Sequence, residues 1–299
     1  MNGSSAISSV GLGLTVALLV AACCDSESVS NEAPSKTSGT ASAAPPEASN
    51  SAAAKPPPAP VPMPPASAGI AKENCPPEMV WIEGGKFKMG GTIDAAVSSF
   101  CIDRTEVTVA AYKKCVDDDK CQAPKTGGAS TWAKHGHENH PVNNVDWEDA
   151  RIYCDWAKKQ LPTEVQWEFA AGSREGRKYP WGSDEPGTRA CWNGEGNDLG
   201  DGKREGTCEV GKYPSGATKQ GVQDMAGNVW EWVQDWYAPL PEAIQDGYVK
   251  SWCGDCPGRV ERGSCWRLRP DGYMQVTERG LFPPDRGDVD LGFRCAKSK

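Results

Sequence analysis

The chain has 299 residues, which is enough for one large domain or two small ones with a buried core. Its 12 Trp, 33 Gly and 24 Pro favour a fold rich in loops and held by aromatic packing over one built from long helices. The net charge of −8, without a stripe of Lys and Arg, argues against nucleic acid as a partner, because phosphate binding needs a basic patch.

The first 23 residues predict an export signal. An apolar run from Val10 to Val20 is followed by small residues and is short for a membrane span. "LVAAC", which ends at Cys23, resembles a bacterial lipobox, and lipidation there would anchor the protein in the cell envelope, on its periplasmic or outer face. No Lys or Arg precedes the apolar run, so a simple signal peptide or a membrane helix stays open as an alternative.

Residues 24–74 are rich in Ala, Ser and Pro and contain almost no large apolar side chains. Such a segment cannot bury a core, so we expect a disordered tether. Folded sequence is expected from Cys75 to the end of the chain, residues 75–299.

Regular structure is predicted mainly in the first half of this folded part. In "MVWIEGGKFKMGG" apolar and polar residues alternate and glycines occur in pairs, which indicates a strand, a turn and a second strand. "EVTVAAYKKCV" and "VDWEDARIYCDWAKKQ" predict helices capped by Thr108 and Asp146, and "LPTEVQWEFAAG" predicts a third with Thr163 and Gln166 as a capping box. Beyond residue 173 the pattern indicates loops and short strands.

Thirteen cysteines are too many for an ordinary cytosolic domain, unless their spacing is that of a metal-cluster motif, which it is not here. Eleven of them are scattered downstream of residue 70, and "CGDC" stands alone as a CxxC motif. This distribution predicts disulfides formed in an oxidising compartment.

Eight blocks of sequence together resemble the formylglycine-generating enzyme family, also called sulfatase-modifying factors. In chain order they are "MVWIEGGKFKMGG", "FCIDRTEVT", "HPVNNVDWEDARIYCDWA", "LPTEVQWEFAA", "YPWG", "GVQDMAGNVWEWVQDWY", "RVERGSCWR" and "LGFRC". They span about residues 78 to 296, which is nearly all of the predicted domain. The resemblance implies one α+β domain with an irregular, C-type-lectin-like fold that is poor in regular secondary structure.

The resemblance also locates the positions that hold copper in the oxidases of this family. Two cysteines there bind Cu(I), for which soft thiolates are suitable ligands, and the corresponding positions in this chain are Leu268 and Tyr273. Copper is therefore not expected. A rescue by Cys265 together with Cys253 or Cys256 is the alternative.

Calcium is the cofactor that the resemblance does imply. The ligands carried over are the side chains of Asn228 and Glu231 and the carbonyls near Gly227 and Val229, which are hard oxygen donors. The alternative is that Asn228 and Glu231 only cap and hydrogen-bond the loop. A second site around Asn193 would draw on the oxygens of Asn197, Asp198 and Asp201.

Disulfide pairing follows from the resemblance in part. The implied pairs are Cys154 with Cys295, Cys115 with Cys121, Cys191 with Cys208, and Cys75 with Cys101. Cys253, Cys256 and Cys265 then leave one thiol without an assigned partner.

All three histidines of the chain lie in "HGHENH", at positions 135, 137 and 140. Three imidazoles this close together could bind zinc, but zinc sites draw their ligands from a rigid frame. His140 belongs to a family block, and we expect His135 and His137 in an exposed loop.

Three functions are compatible with these features. The first is a non-catalytic, lipid-anchored binding module, monomeric, with a protein or glycan ligand. The second is an oxidase that converts a sulfatase cysteine to formylglycine. The third is a structural lipoprotein of the envelope.

Overall fold

The computed structural model describes residues 69–194, 196–200, 203–240, 244–245, 248–249, 257–269 and 272–298. All of them belong to one unit, Pro56–Lys299. The predicted signal peptide with Cys23 lies outside the described residues, and so do Asp201, Cys253 and Cys256.

The folded chain begins earlier than the predicted boundary at Cys75. Ile70 is buried, and its backbone N–H donates to the Ser99 carbonyl at 3.1 Å. The Ile70 carbonyl accepts a hydrogen bond from Trp81 Nε1 at 3.0 Å. The domain therefore includes at least residues 69–74, because an apolar side chain and paired backbone groups hold this segment to the fold.

Short strands carry most of the regular structure. Those within the described residues are β1 (Met79–Ile82), β2 (Gly85–Met89), β3 (Ile93–Val97), β4 (Phe100–Asp103), β5 (Trp230–Trp236), β6 (Ile244–Gln245), β7 (Tyr248–Val249), β8 (Arg259–Arg262), β9 (Gly280–Phe282), β10 (Leu291–Phe293) and β11 (Ala296–Lys297). They pair in the orders β1-β4-β11, β10-β5-β8-β9, β2-β3 and β6-β7. The predicted strand, turn and strand are present as β1 and β2, although each pairs with a different partner.

Three α-helices precede the four-stranded sheet in the described sequence: α1 (Val109–Asp117), α2 (Trp147–Trp156) and α3 (Glu164–Gly172). The predicted caps are confirmed, since the side chains of Thr108 and Asp146 accept from the third backbone N–H beyond them and α3 begins with a full capping box. α2 is shorter than predicted, because Gln160 instead exchanges backbone hydrogen bonds with Ala296 at 2.8 and 2.7 Å.

The core is centred on α3, all of whose residues are buried. This helix contacts β2, β3, β5 and β8, and the largest fully buried side chains include Trp167 and Trp232. The predicted α+β class with little regular structure is confirmed. None of the helices in the described part of the chain is long and apolar enough to span a bilayer.

Four disulfides lie within the described residues, and they are the four pairs that the resemblance implies. They join Cys75 to Cys101, Cys115 to Cys121, Cys154 to Cys295, and Cys191 to Cys208. Such bridges stabilise a domain mainly by restricting its unfolded chain, which suits a fold with few helices.

Candidate functional site

A fully buried ion pair lies where β5 meets β10. The Glu231 carboxylate accepts two hydrogen bonds from Arg294, at 2.7 Å on each oxygen, and a third from Trp167 Nε1 at 2.8 Å. Glu231 and Arg294 are both 0% exposed. Both carboxylate oxygens have charged or polar donors, so the negative charge of Glu231 is balanced inside the protein by the positive charge of Arg294.

Two further carboxyl groups approach the same guanidinium. Burial, and then the neighbouring Asp224, raise the pKa of Glu106 well above its ordinary value, and burial also raises the pKa of Asp224. Among the described residues neither Glu106 oxygen has a hydrogen-bond donor. A single positive charge on Arg294 cannot balance three carboxylates, so we expect Glu106 to be protonated at neutral pH.

The other predicted calcium ligands also have partners within the protein. Asn228 accepts through Oδ1 from the backbone N–H of Cys208 at 2.9 Å, and its carbonyl accepts from Trp266 at 2.8 Å. Asn193 Oδ1 accepts from the backbone N–H of Arg204 at 3.1 Å. Asn197 bonds to the backbone of Trp192 and Leu199, and Asp198 pairs with Arg204, Lys212 and Tyr213.

Gly227 and Val229 have structural explanations of their own. Gly227 has a φ of +83°, and a Cβ atom at this position would lie 2.4 Å from the Cys191 carbonyl oxygen, so only glycine fits. The side chain of Val229 is fully buried.

In the described part of the chain, no three His, Cys, Asp or Glu side chains are arranged to hold a metal ion. The predicted calcium ligands also include an Asn side chain and backbone carbonyls, so calcium at Asn228 and Glu231 stays a prediction. Arg294 supplies a positive charge beside the Glu231 carboxylate, as expected if Asn228 and Glu231 only hydrogen-bond the loop.

A second polar cluster follows β8, near the positions that the resemblance assigns to copper ligands. Cys265 is buried and is the free cysteine of the described residues, and its Sγ donates to Asp290 at 3.3 Å. The Arg267 guanidinium lies 3.1 Å from the same Asp290 oxygen and 3.4 Å from Asp288. This Cys265 cluster (Cys265, Arg267, Asp288 and Asp290) joins the β8–β9 connection to the loop before β10.

The electrostatics of the Cys265 cluster disfavour a thiolate. Burial, and then the neighbouring Asp290, raise the pKa of the Cys265 thiol well above its ordinary value. Burial likewise raises the pKa of Asp290 to about 6, against the opposing effect of Arg267. A protonated, buried thiol is a poor nucleophile and a poor copper ligand.

The two positions that correspond to copper cysteines hold side chains without soft donors. Leu268 is partly buried and packs with the apolar cluster that includes Cys265. Tyr273 is 37% exposed. The donors present at these positions therefore do not fit Cu(I), which prefers two thiolates.

Glu261, on β8, adds a buried carboxyl group near the cluster. Burial, followed by the charges of Asp290 and Asp288, raises its pKa from 4.5 to about 8. The folded protein thus keeps a proton on Glu261 that the unfolded chain releases above pH 4.5. Stability from this group is complete below pH 4.5 and is lost as the pH rises to about 8.

We expect Glu261→Gln to flatten the pH dependence of unfolding. The wild-type free energy of unfolding should fall by up to about 1.4 kcal/mol per pH unit between pH 5 and pH 8 through this group. Urea titrations at pH 5, 6, 7 and 8 measure the slope for both proteins. Parallel slopes would show that Glu261 does not carry a proton in the fold.

The histidine cluster has a structural role at one residue. His140 Nδ1 lies 2.8 Å from Thr207 Oγ1, and its ring stacks on His137 at 4.2 Å. Burial, and then the charge of His137, lower the pKa of His140 to about 4, so the ring is neutral at physiological pH. His135 is exposed as expected, whereas His137 is partly buried by the stacking.

Sequence reasoning missed Arg267, Asp290 and Arg294. The available signal was "DVDLGFRC", in which two aspartates two positions apart precede a short strand. The residues that Arg267, Asp290 and Arg294 contact lie on distant segments of the chain. Arg294, for example, is 63 positions from Glu231. Local pattern alone does not reveal such contacts.

The fold described above is that of a known protein family. The chain belongs to the sulfatase-modifying factor family, since the model of the sulfatase-modifying factor enzyme 1-like domain matches residues 66–299. The match begins before Cys75, in agreement with the packing of Ile70.

Among curated relatives, the chain is 41% identical over 173 residues to the formylglycine-generating enzyme of Streptomyces coelicolor, covering 54% of each chain. It is 38% identical over 165 residues to the inactive C-alpha-formylglycine-generating enzyme 2 of Bos taurus, covering 52% of this chain and 50% of the relative. The chain spans about half the length of these relatives. The solved structure of PvdO from Pseudomonas aeruginosa shares the fold, with a TM-score of 0.61, 22% identity, and coverage of 74% and 94%.

Proposed function

We propose that this protein is a non-catalytic binding module of the sulfatase-modifying factor family, exported and anchored to a membrane by a lipid on Cys23. The observation that carries the proposal is the chemistry of the Cys265 cluster. Leu268 and Tyr273 stand at the two copper positions, and the buried Cys265 thiol is protonated and bonded to Asp290. A relative that is named as inactive and is 38% identical also supports a non-catalytic role.

The Trp-bearing surface beside β5 and β8 is the face we assign to a protein or glycan ligand. The Arg259 guanidinium lies between the rings of Trp147 and Trp236, at 3.7 and 4.0 Å from their centroids. Trp147 Nε1 also donates to the Val233 carbonyl at 2.8 Å. These contacts hold large aromatic side chains in place at the surface, which lowers the entropic cost of binding a partner.

We expect the protein neither to retain Cu(I) nor to form an aldehyde. The assay incubates the full chain with Cu(I) under reducing conditions, removes loose metal with a thiol chelator, and measures bound copper. A peptide with the motif Cys-x-Pro-x-Arg is then tested for formylglycine by mass spectrometry. No stoichiometric copper and no mass change are the expected results.

Two variants sharpen this test. Cys265→Ser removes the buried thiol and should leave both readouts at the wild-type baseline. Leu268→Cys with Tyr273→Cys restores the two thiols of the resemblance and should raise copper retention above that baseline. Turnover by the wild-type chain that disappears in Cys265→Ser would overturn the non-catalytic assignment and favour the oxidase.

A further inference from the structure

A surface cavity of about 570 Å³ lies between β1, the end of α3 and the segment 219–220. Its walls come from four stretches of chain that are distant in sequence. None of its lining residues belongs to the Cys265 cluster, so the cavity is independent of the function proposed above. Its volume lies within the range of about 300–1,000 Å³ that is typical of small-molecule sites.

The floor of the cavity is apolar. Val80 of β1 and Phe169 of α3, which belong to one core cluster, line it and are at most 6% exposed, whereas Met79 of β1 packs in the separate cluster of Trp81. Trp81 forms a side wall, where its Nε1 is already bonded to the Ile70 carbonyl. The remaining ring surface and the buried floor offer an apolar contact to a bound molecule.

The rim of the cavity is positively charged. Four of its lining side chains are cationic and two are anionic: Lys72, Arg104, Arg174 and Lys219 against Glu83 and Glu175. Lys219 pairs with Glu175 at 2.7 Å, and Arg174 lies 3.8 Å from Glu83. Within the described residues no carboxylate lies within 4 Å of Lys72 or Arg104, which leaves an excess of two positive charges in a chain of net charge −8.

A fifth cation lies beside the wall of the cavity. Ser173, which lines it, accepts a hydrogen bond from Arg177 Nη2 at 2.8 Å. The other two nitrogens of this guanidinium, Nε and Nη1, are buried without a hydrogen-bond partner in the described structure. A nearby anion would stabilise the charge of a guanidinium that is desolvated in this way.

We propose that this cavity binds a small amphipathic organic anion. An acidic group, such as a carboxylate, sulfate or phosphate, would pair with Arg104 and Lys72 at the rim, where charge-assisted hydrogen bonds are available. An apolar or aromatic body would lie on the floor formed by Val80 and Phe169, beside the ring of Trp81. The combination of a cationic rim and an apolar floor selects against both inorganic anions and neutral hydrocarbons.

The test uses the full chain and 8-anilinonaphthalene-1-sulfonate, whose fluorescence rises on transfer to an apolar site. We expect saturable binding that weakens as salt is added. The double variant Lys72→Gln/Arg104→Gln should bind about tenfold or more weakly, since it removes two charge-assisted contacts. The matched control Lys120→Gln/Lys125→Gln removes two exposed charges outside the cavity and should bind as the wild type does.

Further arms separate the parts of the ligand. Octanoate and octyl sulfate should each compete with the probe, and the stronger competitor identifies the preferred acidic group. Inorganic sulfate and the neutral N-phenyl-1-naphthylamine should bind at least about tenfold more weakly than the probe.

Three results would overturn the proposal. One is equal affinity of the wild type and the Lys72→Gln/Arg104→Gln variant, with equal melting temperatures showing that both are folded. The others are tight binding of inorganic sulfate alone, or of the neutral probe alone. None of these readouts depends on copper or aldehyde formation, so failure here is distinct from failure of the non-catalytic assignment.

Discussion

Replacing Arg294 by Met is expected to lower the free energy of unfolding by about 3–5 kcal/mol, because it leaves a buried carboxylate without its partner. Arg294 donates hydrogen bonds to both oxygens of Glu231, and its charge lowers the pKa of Glu106 and of Asp224 against the effect of burial. Removing its charge leaves three buried carboxyl groups, which must then take up protons or separate. Urea unfolding at pH 7 measures the change.

Two companion variants distinguish the ion pair from a simple loss of packing. Lys120→Met changes an exposed cation and should stay within about 0.5 kcal/mol of the wild type. Arg294→Met combined with Glu231→Gln removes both charges and keeps an oxygen for Trp167 Nε1, so it should recover part of the loss. A single Arg294→Met variant as stable as the wild type would contradict the assigned charge balance.

Removing the bridge between Cys154 and Cys295, by changing both to Ser, is expected to destabilise the domain by about 5 kcal/mol. The two cysteines are 141 positions apart, so the bridge restricts a long loop in the unfolded chain. The matched variant removes Cys115 and Cys121, which are only 6 positions apart and should contribute about 2 kcal/mol. Denaturant unfolding of the three proteins measures both losses.

The comparison is a fair one because all four cysteines are buried, so the cost of placing Ser in the fold is similar in both variants. Unfolding the wild type in a strong reductant should cost more than the two losses combined, because it also opens the Cys75–Cys101 and Cys191–Cys208 bridges. If the two double variants lose equal stability, the loop-length explanation is wrong and local packing around the sulfur atoms decides the effect.

Local features of the fold were predictable because their causes are local. The caps of Thr108, Asp146 and Thr163 need only a side-chain oxygen three positions before a free N–H, and each is present as expected. The end of α2 was not predictable in this way. Its last turn is replaced by the pairing of Gln160 with Ala296, a contact made across 136 positions.

In the candidate sites, too, local features were predictable from the sequence and contacts between distant residues were not. The sequence places Leu268 and Tyr273 at the former copper positions without any coordinates, since the neighbouring block "RVERGSCWR" sets the count. The partner of the remaining thiol, Asp290, follows only from the fold, which brings the loop before β10 against Cys265. The charge balance of Glu231 likewise depends on Arg294, and hydrophobic periodicity carries no information on that pairing.

By itself the sequence determined the family, the α+β class and the helix caps, because these follow from contiguous residues or from order along the chain. The disulfide pairs were expected only through the family resemblance. Only the tertiary structure decided the charge balance around Arg294, the protonated state of Cys265 and the cationic cavity over β1. Each of these depends on burial and on distances between residues far apart in sequence, and both quantities exist only once the chain has folded.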